Sequence, residues 1–253
     1  MSGHSKWAQI RRAKGVNDAR RGQLFTRLGR EIVVAVREGG GGDPNANFRL
    51  RMAVQRARDA NMPLDNIERT IKRALGSGEG NNLEEITYEG YGPGGTALLV
   101  QTLTENRNRT VAEVRNAFNR NAGNMGENGC VDWLFETKGV IEVELNGHDP
   151  DELSLEAIDF GADDVEPYRP DDETLTIYTD PTDVETTRQA LEAKHYKVIK
   201  SEATMIPKTR VELKEEKVAH QLIRLIDKLE DLDDVQGVYS NADIPDEIAA
   251  TYA

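Results

Sequence analysis

Cysteine is nearly absent from this sequence: Cys130 stands alone among 253 residues. A single thiol forms no internal disulfide, so packing must hold the fold and a reducing compartment is expected. Long apolar runs are missing too. The longest, Ile32-Val33-Val34-Ala35-Val36, is far short of the roughly 20 residues a membrane-spanning helix requires. Met1 to Trp7 shows no apolar stretch behind its first charges. No secretory signal is expected, and the cytoplasm is the expected location. The four histidines, His4, His148, His195 and His220, form no H-E-x-x-H pair, and no C-x-x-C occurs. Asp163-Asp164 and Asp171-Asp172-Glu173 lack the spacing of a calcium loop. Neither Gly92-Pro93-Gly94-Gly95 nor the glycine-rich stretch from Gly123 to Gly129 reads G-x-x-x-x-G-K-[ST]. No strand carries the aromatic consensus of an RNA-recognition sheet. No catalytic residue, cofactor or metal ligand is therefore assigned, and a non-enzymatic protein is expected.

What the chain does have is segregated charge. Residues 1–75 hold 16 Lys/Arg against 7 Asp/Glu, a net of +9; residues 76–253 carry −22. A cationic block at one end attracts phosphate backbones, while an acidic remainder repels them from every other face. The whole-chain net of −13 hides this split.

Periodicity divides the chain further. Leu24, Leu28, Ile32, Ala35 and Val36 fall on one helical arc, with Arg20, Arg27, Arg30 and Arg37 opposite, and Gly39 to Gly42 ends the helix. Asp43-Pro44 predicts the start of a second helix with Leu50, Ala53, Val54 and Ala57 inside. A third, capped by Asp65, carries the stripe Ile67, Ile71, Leu75 and stops at Gly76. Such helices form a small bundle with the arginines outside. Gly76 to Asn82 reads as a linker.

Beyond it strands alternate with helices. Ile86 to Tyr91, Thr96 to Thr104 and Cys130 to Glu136 read as strands, and a capping box at Thr110 and Glu113 predicts a helix. From Gly139 to about Ile206 the order is strand, helix, strand, strand, helix, strand, the split βαβ of ferredoxin-like domains. The flanking βαβ pieces cannot bury their sheets alone. The expected fold is α+β and multidomain: a small three-helix domain followed by two ferredoxin-like domains, one inserted in the other. The boundaries read are 1–76 for the basic helical domain, 77–136 plus 206–253 for a discontinuous α+β domain, and 137–205 for the acidic insert.

The strongest candidate site is the basic lead. Lys6, Arg11, Arg12, Lys14, Arg20 and Arg21 lie near Trp7, with Asp18 the one acid among them. Cations at such spacings suit phosphates, and an indole can stack on a base. Trp7 could equally pin the lead to the bundle. Arg27, Arg30, Arg49, Arg51, Arg56 and Arg58 extend the basic surface. Arginine's planar fork serves DNA and structured RNA alike. A second candidate patch is Asn106, Arg107, Asn108 and Arg109, at a helix N-terminus where free N–H groups favour anions; a plain polar loop is the alternative.

Several segments resemble the YebC/PmpR family. They are Met1 to Trp7 with its G-H-S-K-W, Lys14 to Arg21, Phe25-Thr26-Arg27-Leu28, Asn61-Met62-Pro63, Tyr88 to Gly95 and Thr104 to Thr110. The resemblance covers nearly the whole chain, with Gln9-Ile10-Arg11-Arg12 a small departure. It implies a helical N-terminal domain, two α+β domains with one inserted, and no catalytic motif. It also implies a DNA-binding transcriptional regulator, although a mitochondrial relative is a translational activator and some bacterial members are linked to ribosomes stalled at proline-rich stretches. Two partners stay open, duplex DNA and ribosomal RNA or the ribosome; no membrane partner is expected. A metal-dependent nuclease and a scaffold pairing through sheet edges are the alternatives from other classes. Oligomeric state is not legible.

Overall fold

The computed structural model describes residues 18–76, 83–169 and 172–252, without the side chains of residues 18–21 and Asp246. Three helices come first, α1 (Asp18–Glu38), α2 (Phe48–Asp59) and α3 (Leu64–Gly76). Next are β1 (Glu84–Tyr91), β2 (Ala97–Thr104), α4 (Arg107–Arg120) and β3 (Asn124–Met125). Then follow β4 (Phe135–Glu144), α5 (Pro150–Asp159), β5 (Asp164–Val165), β6 (Thr174–Thr179), α6 (Val184–Ala193) and β7 (Lys197–Pro207). The chain ends with β8 (Val211–Glu212), α7 (Glu216–Glu230), β9 (Val235–Ser240), β10 (Ala242–Asp243) and α8 (Asp246–Thr251). The protein is thus mixed α+β with a helical N-terminal region. It divides into two compact units, Met1–Phe135 with Pro207–Ala253, and Glu136–Ile206.

In the first unit the helices bury one stripe each. Leu28, Ile32 and Val36 of α1 meet Leu50, Ala53, Val54 and Ala57 of α2 and Ile67 and Ala74 of α3. The sheet of this unit runs β3-β1-β2-β9. β1 and β2 pair antiparallel from Glu84↔Thr104 to Tyr91↔Ala97, and β9 pairs antiparallel with β2 through a bulge at Gln101/Thr102. One face carries Tyr88, Leu98 and Val100, packed with Val114 and Phe118 of α4 and Leu222, Ile226 and Leu229 of α7. The turn before β2 needs glycine at Gly94: its φ is +74°, and an added Cβ would lie 2.5 Å from Leu213 Cδ2.

The second unit is a sheet ordered β5-β6-β4-β7, with β6 antiparallel to both β4 and β5. β4 and β5, joined through α5, are separated by β6, as in a split βαβ. Ile141, Val143, Leu175 and Ile177 are buried, as are Leu153 of α5 and Val184 and Leu191 of α6. Residues 136–206 hold 19 Asp/Glu against 6 Lys/Arg, so their net charge of −13 equals that of the whole chain. The first unit is neutral overall despite its basic end.

Five local expectations shift. Leu24, on the apolar arc of the first helix, is exposed, while Leu28, Ile32, Ala35 and Val36 are buried. The second helix begins at Phe48, not after Asp43: the Asp43 carboxylate closes a turn on Asn45 N, and Asn47 is the cap, accepting from Leu50 N at 3.0 Å. Buried Asn47 also donates to the carbonyls of Ala35 and Gly41, at 2.7 and 2.8 Å, stitching α2 to the end of α1. Gly39 permits this approach, since a Cβ there would sit 2.2 Å from Asn47 Oδ1. The third helix buries Ile67, Thr70 and Ala74, while Leu75 is exposed. An i, i+4, i+8 stripe drifts around a 3.6-residue helix. The α4 cap is Asn106, accepting from Arg109 N at 3.1 Å, and Thr110 lies inside the helix. Asp132–Leu134 forms a 3₁₀ turn, so the strand read from Cys130 starts only at Phe135.

Candidate nucleic-acid interface

The candidate cations separate into groups. Lys6, Trp7, Arg11, Arg12 and Lys14 lie outside the described residues, and Arg20 and Arg21 are described only as backbone of α1. Arg27 and Arg30 face the body of the first unit. Arg27 Nη2 donates to the carbonyls of Glu230 and Leu232 at the C-terminal end of α7. Helix carbonyls there lack intrahelical donors and carry the negative end of the dipole, so a guanidinium suits them. Arg30 Nη1 donates to Asp233 O at 2.8 Å and Asp234 Oδ1 at 3.0 Å.

Asp234 is the centre of this contact. It is only 1% exposed. Its Oδ2 accepts from Arg109 Nη2 at 2.6 Å, Thr110 Oγ1 at 2.8 Å and Thr104 Oγ1 at 3.1 Å. Burial pushes the carboxyl pKa up, but the hydrogen bonds from Arg109, Thr110 and Thr104 outweigh it and hold it below the usual range. The second candidate patch is therefore divided. Asn106 caps α4 and Arg109 serves Asp234, while Arg107 and Asn108 are exposed. Composition gave no signal for Asp234, one aspartate in an acidic tract. The segment Thr104 to Thr110 does hold a signal, because it brings Thr104, Arg109 and Thr110 to that one carboxylate.

The rest of the basic surface is mixed. Arg49 pairs with Glu38 and Glu85, and Arg56 with Glu31 at 2.8 Å. Arg51 reaches the carbonyl of Pro44 at 3.4 Å and lies over the Phe48 ring. Arg58 is exposed, and so are Arg69 and Lys72 of α3, neither of which was singled out in the sequence.

Elsewhere the described residues offer little chemistry. No group of three or more His, Cys, Asp or Glu among them is placed to hold a metal ion. Burial, and then the Glu89 charge, push the Cys130 thiol pKa up, away from a reactive thiolate. Glu89 itself is buried and accepts from the N–H groups of Gly129, Val131 and Asp132 at 2.6, 2.7 and 2.8 Å. Burial raises its pKa, but these three bonds win and lower it. This carboxylate folds a loop. No helix among the described residues is long and apolar enough to cross a membrane.

Fold and residue set define a class: a cationic helical module joined to an α+β body, with an acidic α+β unit whose residues are inserted, in sequence, between two segments of that body. Comparison with known proteins makes this specific. A model described as the TACO1/YebC protein N-terminal domain matches residues 5–77, and one described as the TACO1/YebC second and third domain matches residues 83–242. The chain belongs to the TACO1/YebC family. A "Probable transcriptional regulatory protein" of Chloroflexus aurantiacus (strain ATCC 29366 / DSM 635 / J-10-fl) is 58% identical, covering 100% of this chain and 99% of that one. One so named from Dehalococcoides mccartyi (strain ATCC BAA-2266 / KCTC 15142 / 195) is 54% identical, covering 100% and 98%. The crystal structure of the conserved hypothetical protein Aq1575 from Aquifex aeolicus matches with a TM-score of 0.79 and 46% identity, over 90% of this chain and 92% of that one.

Proposed function

We propose that the protein is a non-enzymatic regulator of gene expression that docks on nucleic acid through its N-terminal third. The observation that carries this reading is the net +9 confined to residues 1–75 of a chain that is otherwise acidic. The names of its relatives support a regulatory role. Lys6, Arg11, Arg12, Lys14, Arg20 and Arg21 supply phosphate contacts, Trp7 stacks, and exposed Arg58, Arg69 and Lys72 widen the surface. Arg27 and Arg30 fasten the helices to the body. The acidic unit repels phosphates and takes no part in the docking.

Duplex DNA is the first partner proposed, in line with the relatives' names. Ribosomal RNA is the second, and one observation favours it: the two central arginines of α1 are engaged within the protein, leaving that helix poorly suited to reading base edges. Crosslinking in cells followed by sequencing of bound DNA and bound RNA separates the two. DNA reads at discrete promoters, with specific over random duplex affinity of at least ~10³ at physiological salt, support the first. Enrichment of ribosomal RNA supports the second. Recovery of neither nucleic acid above background contradicts the proposal.

A further inference from the structure

Trp133 is the most exposed large aromatic side chain among the described residues, at 65%. It lies in the 3₁₀ turn before β4, and its Nε1 donates to Cys130 O at 3.2 Å. Tyr91, at the end of β1 and 42% exposed, donates its hydroxyl to the same carbonyl at 3.0 Å. The one polar atom of each ring is thus used within the protein, and what the pair shows to solvent is apolar ring surface. Exposed aromatics scattered singly are ordinary. Two rings fastened to one oxygen are a prepared surface.

The loop that supplies this oxygen is itself fixed. The buried Glu89 carboxylate holds the N–H groups of Gly129, Val131 and Asp132, on both sides of Cys130. Lys208 adds a cation, its Nζ donating to Trp133 O at 3.2 Å. That acceptor is neutral, and no carboxylate among the described residues meets the exposed ammonium. Tyr91, Cys130, Trp133 and Lys208 all belong to the first unit.

The face of an indole attracts either a flat ring or a cationic side chain. Lys208 beside it repels a cation and attracts a phosphate. In a paired duplex the base faces are stacked on one another and out of reach, whereas an unpaired base offers its own. Asp132, exposed next to Trp133 in sequence, opposes a second phosphate, so the site suits a single nucleotide. We propose that an unpaired base of a bound strand stacks on Trp133, flanked by Tyr91, with its phosphate against Lys208. The inference rests on the nucleic-acid-binding reading and extends it, adding a base contact on the α+β body to the phosphate contacts of the N-terminal third.

The test uses the full chain and mixed-sequence 20-mers, single-stranded and paired, each as RNA and as DNA. Trp7→Phe leaves Trp133 the sole tryptophan, and binding of a single strand should quench its emission while a paired one leaves it unchanged. Affinities are compared by anisotropy in the wild-type background, so they stand even if Trp7→Phe fails to bind. Trp133→Ala, at an exposed position that tolerates substitution, should weaken single-strand binding about tenfold, the scale of one stacked base. Paired binding should stay within about twofold, below that one-base scale. Trp133→Phe, which keeps a ring and loses the N–H, should retain most of the single-strand affinity. Lys208→Gln should lower the log–log salt slope on single strands by about 0.7, the share of one phosphate. Single-strand binding without quenching, or as tight in Trp133→Ala as in wild type, overturns the inference, leaves the parent reading intact and points to a protein as the occupant. Equal losses on single and paired strands in Trp133→Ala also overturn it. Failure of the wild type to bind either form at low salt overturns both. Comparing the RNA and DNA arms tells which strand the site takes.

Discussion

Removing the Asp234 carboxylate should loosen the helical region from the sheet it rests on. In Asp234→Ala four donors lose an acceptor: Thr104 Oγ1, Thr110 Oγ1, Arg109 Nη2 and Arg30 Nη1. The arginine side chains are 50% and 26% exposed and regain water. The single Thr110 hydroxyl proton can turn instead to Thr104 Oγ1 or Asn106 O, both within reach. The loss is then worth about two charge-assisted hydrogen bonds, roughly 3 kcal/mol, at the low end of breaking a fully buried pair. For a chain of this size that lowers Tm by about 6–12 °C, read by far-ultraviolet circular dichroism on the transition of the first unit. The pH dependence has a fixed sign. The folded carboxyl holds its proton more weakly than the unfolded one, so its contribution is complete above the ordinary value near 3.8 and is lost as pH falls through the lower folded value. The gap between wild type and variant should be constant near neutrality and close in acid. An unchanged midpoint at pH 7, or a gap that persists at pH values well below 3.8, refutes the reasoning.

Glu89→Gln should unfasten the loop from Gly126 to Asp132, because an amide leaves three backbone N–H groups sharing one weaker acceptor; a loss of about 2 kcal/mol is expected. Hydrogen exchange at Gly129, Val131 and Asp132 should speed up well before that of β1, and unchanged protection would argue against it. Like Asp234, Glu89 has a lowered pKa, so its stabilisation is present at neutral pH and fades in acid. Asn47→Ala removes a helix cap, a buried bond to Ala35 and a half-buried one to Gly41. It should cost about 2–3 kcal/mol in urea unfolding; a loss of only a few tenths would mean that the α1–α2 turn is held by other contacts.

Periodicity made the helices and most strands legible, because burial stripes follow backbone geometry: Leu28, Ile32 and Val36 lie inward as their spacing requires. Helix starts were less legible. Asp43-Pro44 and Thr110 both match start signals, yet Asn47 and Asn106 take the caps. Their side chains bond within one turn, while Thr110 is drawn instead to Asp234, 124 residues away. Exposure of Leu75 was hidden for a similar reason, since the sequence does not say which arc of a short helix meets its neighbour. The basic character of the candidate interface was plain from composition. Which arginines are engaged within the protein was not, because the acceptors of Arg27 and Arg30 are carbonyls and a carboxylate more than 200 residues along the chain.

The most direct measurement is a fluorescence-anisotropy titration of the full chain on labelled RNA and DNA across salt concentrations, beside a variant with Lys6, Arg11, Arg12, Lys14, Arg20 and Arg21 all changed to Gln. With six phosphates engaged, wild-type log–log slopes of roughly −4 to −6 are expected. The variant, folded by circular dichroism, should lose most of both slope and affinity. A flat wild-type salt response, or a variant that binds as tightly as wild type, contradicts a cationic N-terminal docking surface.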